Sequence, residues 1–179
     1  IGVRIQTLID KRLDYWQVGY AGRSTQPWRA EKERAGGGVV LMNASHALDA
    51  VQHVTGLDVV SVAADVATLV ADVEVEDTAA ATLRFSNGAV GSLFAGAHIA
   101  GAERAERIEL YGTLGQIQLP YPYDDDPLRL YLREPWDALA AGQWHTLPRA
   151  QTDVYARAVE SFARTVRSGE PTTAGARNA

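Results

Sequence analysis

The chain has 179 residues, 46% of them hydrophobic and 22% charged, the ordinary globular range, and it is long enough to bury a sizeable core. A net charge of −5 argues against a nucleic-acid surface, and the lack of cysteine rules out a disulfide framework and thiolate chemistry while fitting a reducing cytoplasm. No apolar run reaches the roughly 18 residues of a membrane helix and no signal-like segment is seen, so neither a membrane nor a nucleic acid is an expected partner.

Val3 to Ile9 alternates Val3, Ile5, Thr7 and Ile9 against Arg4, Gln6 and Leu8, the two-residue period of a half-buried strand. Arg4, Lys11 and Arg12 lie close together there as a local basic group. Asp14 to Gln26 (DYWQVGYAGRSTQ) is aromatic, glycine-rich and aperiodic, and reads as a loop. Pro27 to Arg34 reads as a short helix broken by Gly36 to Gly38. Asn43 or Ser45 is placed to cap the next helix, which runs to about Thr55 and stops at Gly56.

Asp58 to Ala67 and Val73 to Phe85 read as a second and a third strand. Asn87-Gly88 predicts a two-residue type I′ turn, in whose register Phe85 faces Val90 and Ala81 faces Phe94. Leu83 shares that face, Thr82, Arg84 and Ser86 take the other, and one side of the hairpin is core-like. Arg107 to Tyr111 and Gln116 to Leu119 pair across GTLG. An acidic surface turn, Asp124 to Asp126, precedes a strand at Leu128 to Arg133, and Trp144 to Leu147 is a last short one. Asp153 to Arg167 is amphipathic, with Val154, Ala158, Phe162 and Val166 stacked every four residues; Thr152 or Asp153 caps it and Gly169 ends it. This order predicts an α+β fold over residues 1–179: an open, mainly antiparallel sheet with helices packed on one face. The chain starts in an alternating segment and stops inside AGARNA, so it reads as one domain of a longer protein.

On a helical wheel at about 100° per residue, Ala44, Ala47, Leu48, Val51 and Val54 form one side of the predicted helix from Asn43. His46, Asp49, Ala50 and His53 form the other, with Asn43 at its edge. Three readings of His46 stand at this point. It is a half-exposed surface histidine, a metal ligand with Asp49 and His53, or a general acid/base. Two helical turns rarely supply three convergent ligands, which disfavours the metal. In the first turn of a helix the dipole disfavours imidazolium, so a neutral imidazole is available for proton transfer, with Asp49 one turn on. The GGG run either lets the backbone turn sharply or lets a ligand come close to it; neither a phosphate loop nor a G-x-G-x-x-G follows a strand.

The stretch PWRAEKERAGGGVVLMNASHALDAVQHVTG resembles the substrate-domain core of the Gfo/Idh/MocA oxidoreductases, the glucose–fructose oxidoreductase and inositol dehydrogenase relatives. The VEDTAAATLRFSNGAVGSLFAG hairpin, the IELYGTLGQIQL pair and the Y-x-x-x-V-x-x-F helix with its S-G-E-P tail follow in family order, over nearly the whole chain. The resemblance implies the carboxy-terminal domain of a two-domain enzyme, inactive by itself. An absent amino-terminal Rossmann domain would bind NAD or NADP, no metal would be needed, and hydride would pass between nicotinamide and a sugar, cyclitol or related carbonyl or alcohol. His46 takes the family's proton-transfer position. The Asp or Asn usual four residues earlier is Met42 here, and Asn43 is the polar group offered instead. Trp28, Arg29, Arg23, Asp49 and Tyr155 are the further substrate candidates; His53, His98 and His145 are read as structural or surface residues. The family's catalytic lysine belongs to the other domain, and Lys32, in AEKERA, does not take its role. A homodimer or homotetramer through the sheet face is implied. A non-catalytic oligomerisation scaffold and a sugar-binding module are the alternatives.

Overall fold

In this computed structural model the described residues are 2–102, 105–120, 126–148 and 153–170. They divide into two compact units, Ile1–Leu147 and Pro148–Ala179. The first unit carries β1 (Gly2–Leu8), α1 (Tyr15–Val18), α2 (Lys32–Ala35), a π-helical turn (Val40–Ala44) and α3 (Ser45–Thr55). It continues with β2 (Val59–Ala67), β3 (Thr78–Phe85), β4 (Val90–Gly96), β5 (Ala105–Tyr111), β6 (Gly115–Leu119), β7 (Leu128–Leu132) and β8 (Trp144–Leu147). The second unit holds α4 (Val154–Ser168).

The eight strands form one sheet in the order β2-β3-β4-β1-β5-β6-β7-β8. Every neighbouring pair is antiparallel except β1 and β4, which run parallel. The α+β architecture read from the sequence is therefore the one observed. Alternation assigns the two faces. On one, Val3, Ile5 and Thr7 of β1, Leu83 and Phe85 of β3, and Leu93 and Ala95 of β4 are buried. α3 packs over β1 and β5 on this side and inserts Ala47 and Val51, with Ala44 just before it, into the same core. The apolar side of the predicted wheel is thus the packed side, although Val54 at its end is 53% exposed. On the other face Arg4, Ser92, Phe94, Arg84 and Arg107 stand exposed, with no helix over them among the described residues of this unit.

The hairpin between β3 and β4 departs from the predicted register. Arg84 pairs with Val90 and Ala81 with Leu93, one residue out of step with the two-residue turn. The loop holds three residues, because Phe85 N–H donates to Ala89 O (2.9 Å) and Gly88 N–H to Phe85 O (2.8 Å). Gly88 sits at φ +86 and Asn87 Oδ1 accepts from Ala89 N–H at 2.9 Å. This is the three-residue loop in which a glycine in the left-handed region closes a bulge. A shift of one residue exchanges faces. Phe85 therefore stays in the core with Gly91 and Leu93, while Val90 and Phe94 move to the uncovered face.

Three boundaries also move. β3 begins at Thr78 rather than Val73, because Asp77 gathers the preceding chain into a loop: its carboxylate accepts from the N–H groups of Leu69, Val70 and Ala71 and from the Thr78 hydroxyl. Asp77 is 1% exposed. Burial pushes its carboxyl up, but these hydrogen bonds outweigh burial and hold it below the usual carboxylate range. The segment predicted as a loop from Asp14 contains α1 and a 3-10 turn (Tyr20–Gly22), because Tyr15 and Trp16 are buried and need a local backbone that turns them inward. The short helix predicted over Pro27 to Arg34 forms later, at α2. In the second unit α4 has the predicted cap, Asp153, which accepts from Tyr155 and Ala156 N–H at 3.0 Å, and ends at Gly169. The predicted turn at Asp124 and the cap candidate Thr152 lie outside the described residues.

Candidate functional site

The helix that carries the candidate residues does not start as its sequence predicts. Asn43 and Ser45 are already inside a helical run that begins with the π turn, and neither caps it. The cap comes from 36 or more residues downstream in the sequence. Glu76 accepts from Gly38 N–H (2.8 Å) and Val40 N–H (3.1 Å) with its carboxylate, and from Val39 N–H (2.9 Å) with its main-chain oxygen. A carboxylate at this end also matches the helix dipole. The Gly36 to Gly38 run serves this junction. Gly36, at φ +78, ends α2, and a Cβ on Gly38 would lie 1.8 Å from Glu76 O. Of the two readings of GGG, the sharp turn and the close approach of another main chain are what the fold uses.

Freed from capping, Ser45 donates to Leu41 O at 2.8 Å, and the Asn43 side chain turns to another partner. Lys11 Nζ donates to Asn43 Oδ1 at 2.7 Å. Lys11 follows β1 and is held at its main chain, donating to Ala97 O and accepting at its own carbonyl from His98 Nδ1, each at 2.7 Å. Trp16 Nε1 donates to His98 Nε2 at 3.0 Å, which leaves the ring proton on Nδ1 and fixes one neutral tautomer. His98 is thereby structural, as the sequence reading has it.

Lys11 is 3% exposed, and its ammonium lies 4.2 Å from the Tyr15 ring centroid and 5.2 Å from that of Trp16. Burial, and secondarily the charge of Arg29, lowers its pKa to about 8. Tyr15 also meets the Arg29 guanidinium (5.5 Å) and stacks against Tyr20 (4.7 Å); burial raises its phenol. Its hydroxyl contacts Met42 Sδ at 4.0 Å. Met42, where the sequence resemblance leads to the expectation of a carboxamide or carboxylate, thus meets Tyr15 while Asn43 supplies the polar contact.

The structure links three of the sequence candidates, Trp28, Arg29 and Asn43, through Tyr15 and Lys11. Trp28 and Arg29, both half-buried, stack at 4.3 Å, and Arg29 reaches Tyr15, whose ring also holds Lys11 and so leads to Asn43. His46 follows Asn43 by three residues, across the junction of the π turn with α3, and it is exposed. Asp49, a further turn along, is exposed too. Arg23 is exposed at the end of the 3-10 turn, where its main-chain N–H donates to Tyr20 O and its side chain makes no described hydrogen bond, and Tyr155 belongs to the second unit. Lys11 is the residue sequence reasoning missed. It reads as one of three surface cations, and the only signal of its burial was its place directly after the alternating strand and four residues before an aromatic pair.

The sequence profile of the GFO/IDH/MocA C-terminal domain matches residues 8–118. Solved structures with the same fold include levoglucosan dehydrogenase in complex with NADH and levoglucosan (21% identity, 99% of this chain, 52% of that one, TM-score 0.80). They also include an oxidoreductase domain protein from Kribbella flavida (22%, 97% and 51%, TM-score 0.77). A third is the WlbA dehydrogenase from Bordetella pertussis in complex with NADH and UDP-GlcNAcA (20%, 99% and 46%, TM-score 0.70). The chain spans about half the length of these relatives. No curated protein matches it. The profile covers more than half of the sequence, including the glycine run, the Asn43–His46 segment and the hairpin, and the chain belongs to the GFO/IDH/MocA C-terminal domain family.

Proposed function

We propose that this chain is the substrate-binding domain of an NAD(P)-dependent oxidoreductase that moves hydride between nicotinamide and a sugar, cyclitol or related small carbonyl or alcohol. The observation that carries the reading is the Lys11–Asn43 bond. A remote carboxylate caps the helical run that carries His46, and the Asn43 side chain, which would otherwise cap it, is held by a buried cation. Family membership and relatives solved with NADH support it.

The residues present fit a nicotinamide held by another domain. The glycine run, the segment best suited to a pyrophosphate, is occupied by the Glu76 main chain. When bound, the nicotinamide supplies the hydride acceptor or donor. In oxidation His46 takes the proton that leaves the substrate hydroxyl; in reduction it returns one. Asn43 orients that hydroxyl, and Trp28 and Arg29 bind the rest of the ring. In the full-length protein His46→Ala is expected to lower kcat about 100-fold or more with cofactor affinity unchanged. Turnover at the wild-type rate would refute the role.

The same domain is also a homo-oligomer contact in this reading, as a dimer or tetramer. The uncovered sheet face carries Phe94 and Val90, 42% and 43% exposed, near its middle and the Tyr131–Trp144 pair (5.7 Å) at one side. An obligate interface there would bury about 2,000 Å² or more. Light scattering reads it: Phe94→Asp should shift the mass toward monomer, and an unshifted oligomer would place the contact elsewhere.

A further inference from the structure

The polar groups around Asn43 are donors without an anion. Lys11 and Arg29 carry only donors. Neither forms an ion pair among the described residues, where the pairs are Arg4–Glu109, Arg12–Asp14 and Arg34–Glu31. Both cations are held instead by aromatic residues: Lys11 lies over the Tyr15 ring, and Arg29 lies over Trp28 and meets Tyr15, to whose side chain it also hydrogen-bonds. A ring face binds a cation but leaves its charge uncompensated, whereas a carboxylate would have cancelled it.

The acceptors of the cluster are spent internally. Asn43 Oδ1 accepts from Lys11 and His98 Nε2 accepts from Trp16. The free end of the Asn43 amide is therefore Nδ2, a donor, and no described group accepts from it. Among the described residues no side-chain nitrogen or oxygen is both buried and without a partner, so Nδ2 is reached by solvent, and Arg29 is half-buried. Two like charges gathered on one ring, with donors turned outward, form a surface that gains most from an incoming oxyanion.

We propose that Arg29, Lys11 and the Asn43 amide recognise an oxyanion of the substrate, so that the sugar handled beside His46 is an acidic one carrying a carboxylate or a phosphate. This rests on the oxidoreductase reading for the position of the substrate. Arg29 makes the direct contact through its planar fork, and Lys11, behind the Asn43 amide, supplies charge and fixes the amide with its donor side outward.

Calorimetric titration of the 179-residue chain with D-glucuronate, D-glucose 6-phosphate and D-glucose tests this. At least one anionic sugar is expected to bind about tenfold or more tightly than D-glucose, the two acidic arms telling carboxylate from phosphate. Arg29→Gln and Lys11→Met should each remove most of that margin. Circular dichroism checks the folding of Lys11→Met, and Arg29→Gln, at a half-buried position, carries the test if the other variant fails to fold. Equal binding of the three sugars, no binding of either anion, or a margin that survives Arg29→Gln overturns the proposal. Turnover of the full-length protein with NAD or NADP separates the two readings. Neutral sugars oxidised with no anionic preference would remove this proposal and keep the oxidoreductase. Tight anion binding without turnover of any sugar would do the reverse.

Discussion

The two longest helices of the chain begin in opposite ways. α4 follows the local rule: Asp153, the residue just before it, turns its own carboxylate onto the N–H groups of Tyr155 and Ala156. The run leading into α3 takes its carboxylate from Glu76, on the far side of β2, and its own polar residues make other contacts. The difference shows how a fold releases polar side chains from capping. A helix that caps itself commits its first polar residue to the backbone. A helix capped from a distance leaves Asn43 free to bond Lys11, at the cost of depending on a loop that only the sheet can position.

The strongest way to break this contrast is Gly38→Ala. The new methyl would meet Glu76 O at 1.8 Å, and main chain must give way, so a loss of about 3 kcal/mol or more is expected in denaturant melts. An unchanged midpoint would mean that the junction is loose. Next in size is Glu76→Ala, which strips two N–H groups of their acceptor. A loss of about 2 kcal/mol is expected, together with weaker protection of Gly38 and Val40 amides from hydrogen exchange.

Lys11 sharpens the comparison through pH. Its folded pKa is about 8 against 10.5 in the open chain, so between those values the unfolded state keeps a proton that the native state has released. Stability should therefore rise with pH across about 8 to 10.5. The groups facing Lys11 are Arg29, Tyr15, Trp16, Asn43 and His98. Lys11→Met should flatten the rise by about 3 kcal/mol; a parallel profile in that variant would show the ammonium to be solvated. Asp153→Ala should have the smallest effect, about 1 kcal/mol, with exchange quickened at Tyr155 and Ala156 and no change at Val40.

What could be read from the sequence was whatever depends on near neighbours. The strand alternation of Val3 to Thr7, the ends of α3 and α4 at Gly56 and Gly169, and the Asp153 cap all follow from local periodicity or backbone freedom. What could not be read depends on distant partners. Asn43 looked like a cap because nothing nearby announces Glu76. Lys11 looked like a surface cation because its burial is made by Tyr15, Trp16 and the helix 32 residues away in sequence. The hairpin misled in a subtler way. Asn-Gly is shared by the two-residue loop and by the three-residue loop with a bulge, and the choice between them, one residue wide, moves Phe94 across the sheet.

The place of β1 has a consequence for how the chain reaches its native state. β2 to β4 and β5 to β8 are each runs of neighbours joined by hairpin-like links, the sort of unit that assembles quickly. β1 is the seam between them, parallel to β4 and antiparallel to β5, and its partners arrive some 90 to 110 residues later. During synthesis one edge of β1 finds its partner only once Gly96 has left the ribosome, and the other only once Tyr111 has. The two meanders cannot be stitched together before that, and the slow step of folding should be the docking of this strand rather than the formation of either half.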